Sequence, residues 1–236
     1  MFGNWKMHTT VQEAVALAGR IEDGLEDQYQ GEHGLPTVAL FPPVIALTAV
    51  GDVIDERTLR LGAQNCHWES HGPYTGEVSA DMLKGLAEYV LVGHPDRRAM
   101  GETGDQIARK LSAAAESGLT PVLCVGEQEQ GDLEKEVPKQ LSDGLAAMEQ
   151  TPRMLIAYEP RWALNGEHPA EASLIEDAVG LIKAKFPETP VLYGGSINEN
   201  TVEGVLKTPE LDGVVVGSAS LSDKHFLGIV SQVARA

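Results

Sequence analysis

Pro121-Val122-Leu123-Cys124-Val125, closed by Gly126-Glu127, is the stretch on which the fold turns. An unbroken apolar run this short, stopped by a glycine, reads as a strand covered on both faces. Val214-Val215-Val216 repeats the pattern near the far end of the chain. Strands of a hairpin sheet alternate apolar with polar residues. Continuous apolar strands belong instead to a parallel sheet with helices packed on it. Outward from this stretch, strands are expected at Met1 to Trp5, Thr37 to Phe41, Leu59 to Ala63, Tyr89 to Gly93, Met154 to Tyr158, Val191 to Tyr193 and Gly213 to Val216.

The segments between them carry the helical period. Val11, Val15, Leu17, Ala18 and Ile21 recur at helix spacing between polar residues, so Val11 to Asp27 reads as an amphipathic helix with one buried face. Glu102 to Ser117, Leu133 to Met148, Ala172 to Lys185 and Ser220 to Val233 read likewise, several with acidic residues in the first turn. Eight strand–helix units follow one another in 236 residues without a linker. The α/β architecture that fits is a closed (β/α)8 barrel, one domain over residues 1–236. A doubly wound open sheet is the alternative, but the first strand runs into Gly3-Asn4-Trp5-Lys6 and lacks the glycine fingerprint of a dinucleotide-binding unit.

Composition narrows the partners. The chain carries 35 acidic against 18 basic side chains, a formal charge of -17, which argues against nucleic acid and anionic membrane surfaces. Any phosphate site must then be local, built from a lysine, backbone N–H groups and helix N-termini. Cys66 and Cys124 lie far apart and outside any Cys-x-x-Cys pair, so neither a disulfide framework nor a zinc site is expected, and no His/Asp/Glu cluster has metal-ligand spacing. No leader-like core and no membrane-length apolar stretch stands out, and a cytoplasmic setting is expected.

In a parallel barrel the C-terminal strand ends form the active-site rim. Lys6 follows the first strand, His94 the fourth, Glu159 the sixth, Ser196 the seventh, and Gly217-Ser218 the eighth. Each has a bland reading alone: a capping glutamate, a structural histidine, a solvated lysine, a turn at Gly194-Gly195-Ser196. Together they offer a base, an imidazole, a cation and small phosphate-cradling residues on one rim.

At these residues the chain resembles the triosephosphate isomerase family. The matching stretches are Gly3 to Met7, Gly62 to Cys66, Tyr74 to Glu77, Gly93 to Arg98, Leu123 to Glu127, Ala157 to Ala163, Tyr193 to Ser196 and Asp212 to Ser220. The resemblance spans nearly the whole chain in order. It implies a cytoplasmic enzyme of glycolysis and gluconeogenesis that interconverts dihydroxyacetone phosphate and glyceraldehyde 3-phosphate through an enediolate, without cofactor or metal. Glu159 would remove the α-proton, while His94 and Lys6, with Asn4 assisting, would hold the developing oxyanion. This family is the standing example of an imidazole kept neutral by a helix N-terminus, and the resemblance assigns that state to His94. Gly166, Gly195, Ser196, Gly217 and Ser218 would cradle the phosphate, under a lid from Trp162 to Ala170. The loop Gln64 to Glu77 matches one that reaches a neighbouring subunit, which implies a homodimer.

Four departures stand out. Pro95 and Asp96 follow His94 where the family usually has Ser and Glu; the lid segment Ala163 to Ala170 is short and lacks the usual Gly-Thr-Gly-Lys tip; Ser218 replaces a glycine; and the first strand is brief. The altered lid and Ser218 leave a four-carbon ketose phosphate isomerase as an alternative, with an inactive sugar-phosphate-binding barrel behind it. A Schiff-base aldolase would need a barrel lysine, for which Lys6 alone is placed.

Overall fold

In a computed structural model the described residues are 1–29, 35–146, 153–164, 166 and 168–236. Eight parallel strands close into a barrel in sequence order: β1 (Phe2–Asn4), β2 (Ala39–Phe41), β3 (Arg60–Ala63), β4 (Tyr89–Val92), β5 (Thr120–Val125), β6 (Leu155–Tyr158), β7 (Val191–Gly194) and β8 (Gly213–Val216). The open sheet is thereby set aside. Closure comes from β1, whose Phe2 and Gly3 pair with Val215 and Val216 on one side and with Ala39 and Leu40 on the other. Short as β1 is, its ladder with β2 extends by one bond at each end, Ala39 N–H to Met1 O and Trp5 N–H to Phe41 O.

The strands are apolar on both faces because each face meets a different core. Val122 and Cys124 of β5 point inward with Phe2, Phe41, Tyr89, Ala157, Leu192 and Val215, while Leu123 and Val125 point outward toward the helices. Aromatic rings plug the barrel, Phe2 lying 5.2 Å from Phe41 and 4.9 Å from Tyr89 between centroids. Period-two alternation thus persists with no polar face to reveal it.

The helices are α1 (Val11–Tyr29), α2 (Leu47–Gly51), α3 (Ala80–Leu83), α4 (Pro95–Ala99), α5 (Gly104–Glu116), α6 (Leu133–Gly144), α7 (Arg161–Leu164), α8 (Ala172–Lys185), α9 (Val202–Leu206) and α10 (Asp223–Val233). Short α2, α3, α4, α7 and α9 have too few turns to show a period in the sequence. The helix expected from Glu102 begins at Gly104, because Thr103 and Gln106 form a reciprocal capping box at 3.3 and 3.0 Å. The helix expected over Leu133 to Met148 closes at Gly144, and Met148 lies outside the described residues. The helix expected over Ser220 to Val233 is two elements, a 3-10 turn at Ser218–Leu221 and α10. Extended Ser222 separates them and caps α10 by accepting the His225 N–H. Among the described residues no helix is long and apolar enough to cross a membrane.

Candidate active site

Pro160 lacks an N–H and ends β6, leaving Glu159 as the last residue on the ladder, its N–H donated to Val125 O at 2.7 Å. The side chain turns over the barrel mouth and is only 2% exposed. It fits there because β7 ends in glycine: a Cβ at Gly194 would stand 2.8 Å from Glu159 Cγ and 2.9 Å from Oε2. Beneath it, burial and then the Glu159 charge hold the Cys124 thiol well above its ordinary range, so the sulfur remains a neutral neighbour.

His94 caps the N-terminus of α4, with extended backbone before Pro95 at the first helical position. Its Nδ1 accepts the Asp96 N–H at 3.1 Å. A ring nitrogen that accepts a backbone N–H carries no proton itself, so the imidazole proton sits on Nε2, 3.4 Å from Glu159 Oε2. His94 Nε2 and Glu159 Oε1 are both buried, and neither has a hydrogen-bond partner within the protein. Buried polar atoms left open at one place mark a binding surface.

Lys6 follows β1 in a left-handed conformation, φ 50°, and its N–H is received by Asn4 Oδ1 at 3.0 Å. The Asn4 amide NH2 is the end left to donate. Gln64, just past β3, donates to both Lys6 O and Phe41 O at 2.8 Å and holds the turn from below. Lys6 Nζ lies 3.0 Å from Asp96 Oδ2, so the carboxylate one methylene shorter than usual still reaches its lysine. Burial pushes the Asp96 carboxyl up, but the Lys6 ammonium bonded to it draws it down, and it lies below its ordinary value.

Asn4, Lys6 and Glu159 share one cavity of about 560 Å³ with Gly166, Gly195, Ser196, Gly217 and Ser218. Eight of the nine residues singled out from the sequence therefore face one space, and the ninth, His94, abuts Glu159. Ser196, with φ 49°, sets its Oγ 2.7 Å from both Ala163 O and Gly166 O. A single hydroxyl proton serves one of these carbonyls at a time.

The segment that opens at Trp162 and closes at Ala170 is held at both ends. At its start Trp162 Nε1 donates to the fully buried Glu127 at 2.9 Å, as does Tyr158 OH at 3.1 and 3.2 Å. At its close the Ala170 N–H donates to Tyr193 OH at 2.8 Å. Burial and the Glu127 charge push the Tyr158 phenol up, and burial takes that of Tyr193 up to about 12, so both hydroxyls keep their protons. Asn165 and Glu167 of the lid lie outside the described residues.

Glu127, Tyr193, Gln64 and Gly194 lie in stretches that carry the resemblance but were not among the expected site residues. The strand-end rule does point to three of them, since Glu127 follows β5, Gln64 follows β3 and Gly194 ends β7. The strand-end rule does not reach Tyr193, whose hydroxyl partner lies 23 residues away.

Residues Gln64 to Glu77 line no part of the cavity. His67 stacks on Trp68 and packs on Tyr74, at 4.1 and 4.4 Å between centroids, with Arg109 4.5 Å over the Trp68 ring.

The family model described as triosephosphate isomerase matches residues 1–233. The triosephosphate isomerase of Dehalococcoides mccartyi (strain CBDB1) is 37% identical over 246 residues, covering 98% of this chain and 95% of that protein. That of Trichodesmium erythraeum (strain IMS101) is 39% identical over 237 residues, covering 97% and 96%. A crystal structure of triosephosphate isomerase from Bartonella henselae superposes with a TM-score of 0.84 at 29% identity, covering 100% of this chain and 98% of that one.

Proposed function

This chain belongs to the triosephosphate isomerase family, and from that premise we propose how its barrel mouth moves a proton between adjacent carbons of a triose phosphate. The protein is an isomerase that interconverts dihydroxyacetone phosphate and glyceraldehyde 3-phosphate. The observation that carries the mechanism is the facing of Glu159 Oε2 and His94 Nε2 at 3.4 Å, each group buried and each with an open polar atom.

Glu159 takes the proton from the carbon beside the carbonyl, a step for which a positioned base contributes about 10²- to 10⁴-fold. Charge then develops on the carbonyl oxygen, where the Nε2–H of His94, the Lys6 ammonium and the Asn4 amide are aimed. Donors fixed before the reaction stabilise that charge without reorganising. The hydroxyl proton of the enediolate moves to its other oxygen, the Glu159 carboxylic acid returns the abstracted proton to the neighbouring carbon, and the isomeric product forms. Gly195, Ser196, Gly217, Ser218 and Gly166 hold the phosphate, and the segment Trp162 to Ala170 covers the site against water.

A homodimer is supported by large apolar side chains left open on the surface. Met7, Ile45 and Met100 are 95%, 72% and 78% exposed, and Tyr74 and Met82 are exposed with them. Apolar side chains left this open are what a second subunit would cover. A cytoplasmic setting fits the two buried free thiols.

The test is turnover of three- and four-carbon ketose phosphates by the purified enzyme and by Glu159→Gln. The triose phosphate should be strongly preferred, and the variant should lose about 10³-fold in kcat. A wide preference for the four-carbon compound, or full activity without the carboxylate, overturns this reading. Sedimentation should give twice the chain mass; a monomer at micromolar concentration sinks the dimer.

A further inference from the structure

The cavity does not stop at the cradle. Past Gly217 and Ser218 it continues to Asn198, Asn200, His8 and His225, none of which the mechanism uses. Among the described residues that line it, the basic side chains are Lys6, His8 and His225, and Lys6 is bound to Asp96 at the reacting end. The lid tip brings no lysine. A phosphate dianion entering a chain of charge -17, with Glu159 and Glu199 on the cavity wall, thus meets the hydroxyls and glycines of Gly195, Ser196, Gly217 and Ser218.

His225 is held in a specific pose. Its Nδ1 lies 2.6 Å from Glu199 Oε2, and since a carboxylate only accepts, Nδ1–H is the donor. Nε2 is then the ring atom free to meet a ligand, and in the imidazolium form it donates. Glu199 is fixed in turn. Gln232 Nε2 donates to its carbonyl at 2.9 Å, and α10 passes it at Gly228, where a Cβ would fall 2.2 Å from Oε1. One turn of α10 thus supplies the imidazole, the next leaves room for the carboxylate that orients it, and a third clamps the backbone.

We propose that His225, oriented by Glu199, contacts the substrate phosphate in the cavity it shares with Gly195, Ser196, Gly217 and Ser218 and sets the affinity of the enzyme for phosphorylated substrate. The idea rests on the triose phosphate reading above. It differs from a plain surface ion pair tying the β7–α9 loop to α10, which would influence stability alone. A donor facing a phosphate oxygen binds substrate and transition state alike, so its loss appears in KM and not in kcat.

The experiment compares wild type with His225→Gln and Glu199→Gln. Both are assayed with dihydroxyacetone phosphate, with inorganic phosphate as competitive inhibitor, and with unphosphorylated glyceraldehyde. His225→Gln should raise KM and the phosphate inhibition constant together by about tenfold, the effect expected of one hydrogen bond to a charged group. It should leave kcat within twofold and the turnover of glyceraldehyde unchanged. Glu199→Gln should move KM and the inhibition constant in the same direction by less, which keeps the test open should one variant fold poorly. Unchanged KM and phosphate inhibition in both variants, with or without a lowered melting temperature, overturn the proposal. Failure of the wild-type enzyme to turn over the triose phosphate would instead sink the isomerase reading, so the two failures are distinct.

Discussion

The two walls of the cavity are built by opposite rules. At the reacting end Asn4, His94 and Glu159 are 4%, 5% and 2% exposed, each at or beside a strand end and tied down by main-chain hydrogen bonds. Over the other wall the lid rests on a few side-chain contacts, Trp162 on Glu127 at one end and Ala170 on Tyr193 at the other, while Gly166 and His168 between them are exposed. Proton transfer requires reacting atoms held to a fraction of an ångström, which a barrel strand supplies. Admitting substrate requires contacts that break and re-form, which a loop held at its hinges supplies.

The contrast breaks most sharply at Gly194. Gly194→Ala puts a methyl 2.8 Å from Glu159 Cγ and must displace the base, so kcat should fall by about 10²-fold with the fold intact by circular dichroism. An unchanged kcat would show that the reacting end tolerates movement and that the contrast is false.

On the lid side the sharpest probe is Glu127→Gln, which keeps the shape but removes the charge that Tyr158 and Trp162 donate to. Hydrogen bonds to a charged group are the stronger kind. Stability should drop by about 2 kcal/mol, measured by denaturant unfolding, and kcat by a smaller factor than for Gly194→Ala. A larger kcat loss here than at Gly194 would reverse the ranking of the two walls.

A smaller effect, of opposite sign, is expected at Thr9. It has φ 76°, a conformation costly for a β-branched residue, and its Oγ1 is buried without a partner. Thr9→Gly should stabilise the fold by about 1 kcal/mol, the strain relieved less the entropy that glycine loses on folding, with kcat unchanged. Destabilisation would show that the strained turn behind Lys6 is held by contacts worth more than its strain.

The smallest effect is on pH. The Asp96 carboxyl lies below its ordinary value when folded, so its contribution to stability is complete above the ordinary carboxylate range and lost as pH falls through the lowered value. Unfolding free energy of the wild type should therefore fall more steeply in acid than that of Asp96→Asn. Parallel curves would show that Asp96 does not anchor Lys6.

Much of this was legible in the chain because barrel strands are local. Pro121 to Val125 and Val214 to Val216 announce a parallel sheet by lacking any polar face, and the residues just past each strand sit on the rim by the topology alone. Short helices such as Leu47–Gly51 and Arg161–Leu164 escaped because four or five residues hold barely one helical turn and no period. The break at Ser222 escaped because the apolar pattern continues through it while its capping hydroxyl is a local hydrogen bond.

Strand order, the rim and the kinds of groups on it were written in the amino-acid pattern, since hydrophobic periodicity and strand-end chemistry depend on near neighbours. The packing of Gly194 against Glu159, the grip of Glu127 on Trp162, the facing of His94 Nε2 and Glu159, and the pairing of Glu199 with His225 were decided only by the folded chain. Each depends on which atoms approach within about 3 Å across 26 to 65 residues of sequence, and the closing of the barrel sets those distances.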